Sequence, residues 1–286
     1  MLRDLSSVAG LPFLFDTDIY HAILGPGVRD PLYGVRTDDE IRKVLRDPDA
    51  PLPKIVYWMM RDTGLQDDPY LKETHGLRYD ISYFIPAMFG CGYLKTSGHY
   101  HQASPDGPAY PEVYGVLSGK AIYLLQKVNS IDASIDEVVV EDCLVVEGNP
   151  GDKVIMPPDY GHVTINPLPE PMVMANWVSN RFKSQYGAVE QARGFAYYRV
   201  EADGGPVWVR NPRYKAVPPL RLARVREVPE LGLSLDEPLY TAGIRDPERL
   251  EWLSNPANCA ALVWKGLEII GELDTCELPE VPRSDA

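Results

Sequence analysis

Between residues 55 and 210 the apolar positions fall into short β-branched and aromatic runs, at 55–60, 79–85, 91–96, 113–117, 121–125, 138–146, 153–156, 162–165, 172–178, 194–200 and 207–210. Gly, Pro, Asn and Asp break them at short intervals, and no helix lies between them to cross over a parallel sheet. This pattern predicts an antiparallel sandwich or barrel. Upstream, Pro12, Gly25, Pro26, Gly27 and Pro31 predict that residues 1–34 form an extended arm without regular structure of its own. Thr37 with Glu40 makes a capping box, and Ile41, Val44 and Leu45 recur at helical spacing until Pro48, which predicts one helix over 38–46. Downstream, the adjacent prolines of Val217-Pro218-Pro219 remove two donors from any ladder and mark a boundary. Beyond it, Asp246-Pro247-Glu248 is a helix start with Leu250 and Leu253 on one side, and 260–264 and 267–270 read as strands. The chain thus divides into an arm (1–34), a barrel (35–215) and a C-terminal extension (216–286). Roughly seventy residues are few for an independent core, so the extension is expected to pack on the barrel or on a partner subunit. The tail after Cys276 is expected to fray.

Composition narrows the function classes. The chain has 286 residues, 45% of them hydrophobic, a net charge of -13 and a pI near 4.8. Such an acidic surface argues against nucleic acid and anionic membranes as partners, and any substrate phosphate must be held locally. No apolar run is long enough to span a membrane and no secretory leader is evident, so the expected compartment is the cytoplasm. Cys91, Cys143, Cys259 and Cys276 are widely spaced and form no CxxC, which reads as small buried hydrophobes rather than a disulfide frame or a thiolate metal site.

The chemistry concentrates in two short blocks. His99 and His101 are two apart and point to the same side of a strand, as do Glu112 and Tyr114, and as do His162, Thr164 and Asn166. Ser118-Gly119 makes a tight turn that is expected to bring the strand from Ala121 back against the Glu112 strand. A single His among apolar neighbours is more often a hydrogen-bonded core or surface residue than a ligand. Here three of only five histidines fall in these blocks with an acid between them, and three imidazoles with a carboxylate form a transition-metal pocket. His21 and His75 lie outside the pattern and are read as structural. Four protein ligands on a six-coordinate metal leave positions for substrate oxygens, so the chain reads as an enzyme.

The spacing resembles the cupin superfamily. Its first motif ends in HxH followed by a Glu and a Gly, matched by His99, His101, Glu112 and Gly119; its second is matched by Gly151, Pro157, His162 and Asn166, with Asp159 where many cupins carry Gly. The resemblance implies an all-β fold, the cupin double-stranded β-helix or jelly-roll barrel, with a few short helices and a C-terminal extension. Longer strings are similar to the cupin-type phosphoglucose isomerases of archaea and some bacteria: Thr96-Ser97-Gly98-His99-Tyr100-His101, Glu112-Val113-Tyr114, Leu124-Leu125-Gln126, Pro157-Pro158 ahead of His162, Tyr186-Gly187, Gly194-Phe195 and Asn211-Pro212-Arg213-Tyr214-Lys215. The likeness covers roughly residues 35 to 215.

Carried over, the resemblance implies that His99, His101, Glu112 and His162 hold one divalent transition metal per subunit, Fe2+ first and Zn2+, Mn2+ or Ni2+ after it. It implies phosphate contacts from Thr96, Gly98 and Ser82, a substrate contact from Tyr186, and a glycolytic or gluconeogenic homodimer acting on a small-molecule sugar phosphate. A neutral cradle of hydroxyls and amides suits phosphate on an acidic protein. Tyr114 and Tyr186 read equally well as barrel core. Lys95, Lys120, Arg181 and Lys183 read as solvated surface, with Arg181 and Lys183 within possible reach of the phosphate. The implied activity is interconversion of glucose 6-phosphate and fructose 6-phosphate, with Glu112 as proton carrier and Tyr186 as the second catalytic residue; a hydride shift from C2 to C1 is the competing route. Other readings are a cupin isomerase on mannose 6-phosphate or another sugar, a non-catalytic sugar-phosphate-binding cupin, and an oxygenase. This chain departs from the family in the longer segment between His101 and Glu112, expected at the mouth of the barrel, and in Ser184, where a His is common.

Overall fold

The computed structural model describes residues 1–105 and 107–278; most of the tail expected to fray therefore lies outside the described residues. In chain order the elements are β1 (Leu2–Asp4), α1 (Ser6–Ala9), β2 (Phe13–Asp16), β3 (His21–Leu24), β4 (Leu32–Thr37), α2 (Asp38–Arg42), β5 (Ile55–Arg61), α3 (Leu71–Thr74), β6 (Leu77–Phe84), β7 (Met88–Phe89), β8 (Gly92–Tyr93) and β9 (Tyr100–His101). They continue with β10 (Glu112–Ser118), β11 (Ala121–Val128), β12 (Val140–Gly148), β13 (Lys153–Met156), β14 (Tyr160–Ile165), β15 (Met172–Ser179), β16 (Ser184–Gln185), α4 (Gly187–Gln191), β17 (Tyr197–Ala202) and β18 (Gly205–Arg210). The last are β19 (Leu220–Val225), α5 (Leu239–Arg245), α6 (Ala260–Val263), β20 (Leu267–Glu272) and β21 (Thr275–Cys276).

Two large sheets make the barrel. One runs β13-β10-β15-β6-β5-β4 and the other β14-β11-β12-β19-β20. Successive strands switch between them: β10 lies in the first, β11 and β12 in the second, β13 in the first, β14 in the second and β15 in the first. That winding makes the barrel a double-stranded β-helix. Inward side chains of both sheets share one apolar core, where Tyr114 and Tyr123 meet with ring centroids 5.4 Å apart and Tyr123 Oη lies 3.8 Å from Met174 Sδ.

The turn at Ser118-Gly119 does not fold β11 back against β10. β10 already pairs with β13 on one side and β15 on the other, and its register slips between Val116 and Ser118. Gly119 then takes a left-handed φ of 78°, where a Cβ would meet the Pro171 carbonyl at 3.0 Å. Bulge and glycine together lift the chain out of the first sheet and start the second.

Several local expectations need correction. The arm is structured: β1, β2 and β3 form a meander, and Phe13 and Phe15 alternate with half-buried Leu14 and Asp16. Its prolines and glycines occupy the turns, and its apolar side packs with Tyr79, Trp177, Leu239 and Tyr240 behind the first sheet. The helix expected over 38–46 is regular only through Arg42, although the capping box forms as read. Residues 260–264, expected as a strand, begin as α6; a run this short is ambiguous from periodicity, and Ala260-Ala261-Leu262 favours helix. Pro247–Leu253 forms a 3-10 helix that buries Leu250 and Leu253. Cys143 and Cys259 are buried as expected, but Cys91 is exposed.

After the double proline, β19 pairs in parallel with β12 and extends the second sheet. This is a single parallel pairing within an otherwise antiparallel sheet. Trp177 Nε1 donates to the Leu239 carbonyl at 2.9 Å, so the C-terminal segment is keyed into the barrel wall.

One buried amide ties the barrel to its closing segments. Gln126 is fully buried; its Nε2 donates to the hydroxyls of Tyr100 at 2.7 Å and Tyr214 at 3.3 Å, and its Oε1 accepts the Ala196 N–H at 2.6 Å. Gln126→Leu strands the Tyr100 hydroxyl and the Ala196 N–H, while Tyr214 keeps its bond to the Gly194 carbonyl, and is expected to cost about 3 kcal/mol of unfolding free energy, measured by denaturant titration; a cost below about 0.5 kcal/mol would contradict this role.

Candidate metal centre

The segment before β9 lies antiparallel against the free edge of β14. Thr96 N–H donates to the Thr164 carbonyl at 2.8 Å, while His99 and His162 exchange backbone hydrogen bonds of 3.2 and 3.0 Å. Gly98, at φ 74°, brings this segment close enough that a Cβ would sit 3.2 Å from Val163 Cβ. With His99 and His162 directly opposite, and His101 one step on, two imidazoles come from the segment and one from the strand. Glu112 enters from β10 in the other sheet.

The four donors converge. His99 Nε2 is 3.0 Å from His101 Nε2, and Glu112 Oε2 lies 3.4 Å from His101 Nε2 and 3.2 Å from His162 Nε2. One ligand atom from each of the four lies within 4.8 Å of all the others. At metal–ligand bonds near 2.1 Å, neighbouring donors on a six-coordinate shell stand about 3.0 Å apart and opposite ones about 4.2 Å, so the set fits a single cation. The shell behind it is partly fixed: the His101 Nδ1–H donates to the Tyr110 carbonyl at 2.7 Å, which turns its Nε2 lone pair toward the cluster. His162 Nδ1 is buried without such a partner among the described residues.

Burial sets the protonation states. It pushes the His99 and His162 imidazoles below their usual 6.5, and for His99 the neighbouring rings push the same way. Burial alone would raise the Glu112 carboxyl, but its contacts with His101 and His162 outweigh that and hold the group well below its usual 4.5. Neutral imidazoles around a carboxylate are the forms that bind a cation.

The cluster opens onto a cavity of about 340 Å³ floored by the inward faces of β15, β6, β5 and β4. Ser82, Thr96, Gly98, Tyr114 and Tyr186 all line it with the four ligands. Tyr114 Oη is 3.3 Å from His162 Nε2, and the Tyr186 ring lies 5.5 Å from that of His99. Thr96 Oγ1 accepts the Thr164 N–H at 3.0 Å and keeps its own proton free to donate. Asn166 is not a site residue: its amide spans the carbonyls of Ile85 and Glu170. Of the four cations read as solvated, Lys183 lines the cavity and Arg181 turns to the Ser254 carbonyl. Lys95 is half-buried, with burial pushing its ammonium down to about 7.

Among the described residues of the longer segment after His101, none lines the cavity. The segment closes on itself through Ala103 opposite Ala109 and a Ser104 N–H to Pro108 carbonyl bond, and Ala109 N–H is held by Asp159 Oδ1 at 2.8 Å. Residues that sequence reasoning missed are Arg36, Tyr57, Arg78, Asp80, Asn176 and Phe182, all on the cavity wall. Parity offered a signal, since Arg78 and Asp80 share a strand face with Ser82. Arg36 donates to Tyr57 Oη at 3.1 Å and lies 5.6 Å from the Tyr186 ring, so a guanidinium stands on the cavity wall beside Tyr186.

A jelly-roll barrel that closes three imidazoles and one carboxylate around a substrate-sized cavity is a cupin. Within that class the chain belongs to the glucose-6-phosphate isomerase (GPI) family, whose model matches residues 35–216. The glucose-6-phosphate isomerase of Thermococcus kodakarensis is 27% identical over 160 residues, covering 53% of this chain and 76% of that protein. That of Pyrococcus furiosus is 27% identical over 182 residues, covering 64% and 83%. Among solved structures, a vicilin from Solanum melongena aligns at a TM-score of 0.32 and 10% identity, covering 47% of this chain and 32% of that one, and no argument rests on it.

The buried imidazoles and carboxylate set the acid response of the metal-free protein. His99 and His162 stay neutral in the fold at pH values where the unfolded chain protonates them, and Glu112 stays ionised where the unfolded chain protonates it. Stability is therefore full above about pH 6.5, falls as pH drops below it, and falls further below about 4.5. Thermal melts of metal-free protein across that range test this; a flat profile, or one that His99→Ala with Glu112→Gln leaves unchanged, would contradict it.

Proposed function

We propose that this chain interconverts glucose 6-phosphate and fructose 6-phosphate, with one divalent transition metal held by His99, His101, Glu112 and His162. The observation that carries the reading is the convergence of these four donors within 4.8 Å, inside a cavity of the segment that matches the isomerase family. A set of three nitrogens and one carboxylate oxygen suits Fe2+, and also Zn2+, Mn2+ or Ni2+, better than metals that prefer thiolates.

The reaction moves a hydrogen between C1 and C2 of the open-chain sugar while a proton shifts between O1 and O2. A divalent cation held at the four ligands supplies Lewis-acid stabilisation of the charge that develops on those oxygens. In this reading Glu112, ionised and beside the cavity, accepts and returns the carbon-bound proton, and Tyr114 and Tyr186 orient the sugar oxygens. Thr96 Oγ1, Gly98 and Ser82 take the phosphate, with the Arg36 guanidinium close to Tyr186 adding a full positive charge. Phe182, whose ring centroid lies 4.1 Å from that of His101 at a tilt of 38°, excludes water from the ligand side. Residues 35–215 form the catalytic unit, and the segments on either side support the outer face of its first sheet. The reading includes a cytoplasmic location and a homodimer, the latter supported by the exposed Leu32, Tyr33 and Val35 on the outer edge of β4.

Metal analysis coupled to a hexose-phosphate isomerase assay tests it. The purified protein is expected to carry about one divalent metal per chain, to lose roughly 100-fold or more of its activity on chelation, and to recover when metal is returned. His99→Ala is expected to lose both metal and turnover while its fold, read by circular dichroism, persists. Full activity in demetallated protein would overturn the metal; turnover only of unphosphorylated sugars would overturn the substrate.

A further inference from the structure

The wall of the cavity opposite the imidazoles carries polar groups that none of these roles uses. By strand register, Val178 stands between Glu112 and Arg78 in one cross-strand row, and Asn176 stands between Tyr114 and Asp80 in the next. A polar strip therefore leaves the metal centre across β10, β15 and β6, reaching about 10 Å from the Glu112 strand at the spacing of paired strands.

The members of the strip have unspent hydrogen-bonding capacity. Asp80 is nearly buried; its Oδ1 accepts the Asp62 N–H at 2.9 Å and Arg78 Nε at 2.8 Å, and its Oδ2 accepts Arg78 Nε at 2.9 Å. Arg78 uses only Nε in this pair, so among the described residues the four N–H groups of its terminal nitrogens have no protein partner, on a side chain only 30% exposed. Asn176 is 5% exposed, and its amide has no hydrogen-bond partner among the described residues. The terminal nitrogens of Arg78 and the amide of Asn176 therefore face the cavity with hydrogen-bonding groups that a polar occupant can match.

The strip is the wrong chemistry for a phosphate, because Asp80 cancels the charge of Arg78 and would repel an anion at short range. It is the right chemistry for sugar hydroxyls, each of which donates and accepts at once: Asp80 Oδ2 is an acceptor, the Arg78 terminal nitrogens are donors, and the Asn176 amide is both. Resting on the reading of this cavity as a sugar-phosphate site, we propose that Asn176, Asp80 and Arg78 read the hydroxyls of the substrate at C3 to C5 and so select which sugar phosphate is accepted. Sites that hydrogen-bond a substrate hydroxyl discriminate strongly against analogues that lack it, because their own groups are then stranded.

The test is calorimetric binding of glucitol 6-phosphate, a polyol that cannot isomerise, and of its 3-, 4- and 5-deoxy derivatives to metal-loaded full-length protein. Arg78→Met is expected to weaken the parent polyol by about tenfold or more and at least one deoxy derivative by less than about threefold. Asn176→Ala, which breaks no hydrogen bond among the described residues, repeats the comparison should Arg78→Met lower metal content or melting temperature. Equal weakening of the parent and all three derivatives, no weakening at all, or failure of the unaltered protein to bind the polyol would overturn the proposal. Because the readout is binding, a protein that binds the polyol but does not isomerise hexose phosphates counts against the proposed reaction and not against this strip.

Discussion

Everything in this barrel depends on keeping one buried carboxylate ionised at the inner end of the cavity. Glu112 is 3% exposed, and burial by itself would drive it to the neutral acid. The imidazoles facing it reverse that preference, while burial pushes His99 and His162 toward their neutral forms, so the carboxylate sits among nitrogen donors. Such a set is stable together only if a cation completes it or if the surrounding strands are stiff enough to hold it in waiting. The architecture supplies the stiffness, since each ligand sits on or is pinned to a strand.

That stiffness is built from both sides of the first sheet. Its inner face carries Glu112, Tyr114, Asn176, Asp80 and Ser82; its outer face is covered by a second apolar cluster in which the N-terminal meander and the C-terminal helices meet around Tyr79, Trp177 and Tyr240. The flanking segments thus act on the site through the sheet between them. Stacking of Trp177 on Tyr240 and the Trp177 hydrogen bond to Leu239 fix the strand whose other side presents Asn176 and Val178 to the cavity.

The metal centre was legible in the sequence because it depends on short-range parity. His99 and His101, or Glu112 and Tyr114, share a face in any strand, and residue type singles out the imidazoles and the carboxylate as donors. The wall of the cavity was not legible, because a charged residue on a strand points to solvent by default and only the pairing of β4, β5 and β6 turns Arg36, Arg78 and Asp80 inward. The partner of β11 failed for a related reason: a Ser-Gly turn reads as a hairpin unless both edges of the preceding strand are known to be filled. In the arm, the alternation of Phe13 and Phe15 was present but only four residues long, and the neighbouring prolines and glycines outweighed it. Sequence spacing defines what a strand offers, and tertiary pairing decides to whom it is offered.

The central claim is that four side chains from two sheets share a single cation. X-ray absorption at the metal edge of the loaded protein measures this directly. The account predicts one site per chain with imidazole scattering and nitrogen or oxygen donors at about 2.0–2.2 Å; sulfur ligation, or a first shell of oxygens without imidazole, would contradict it.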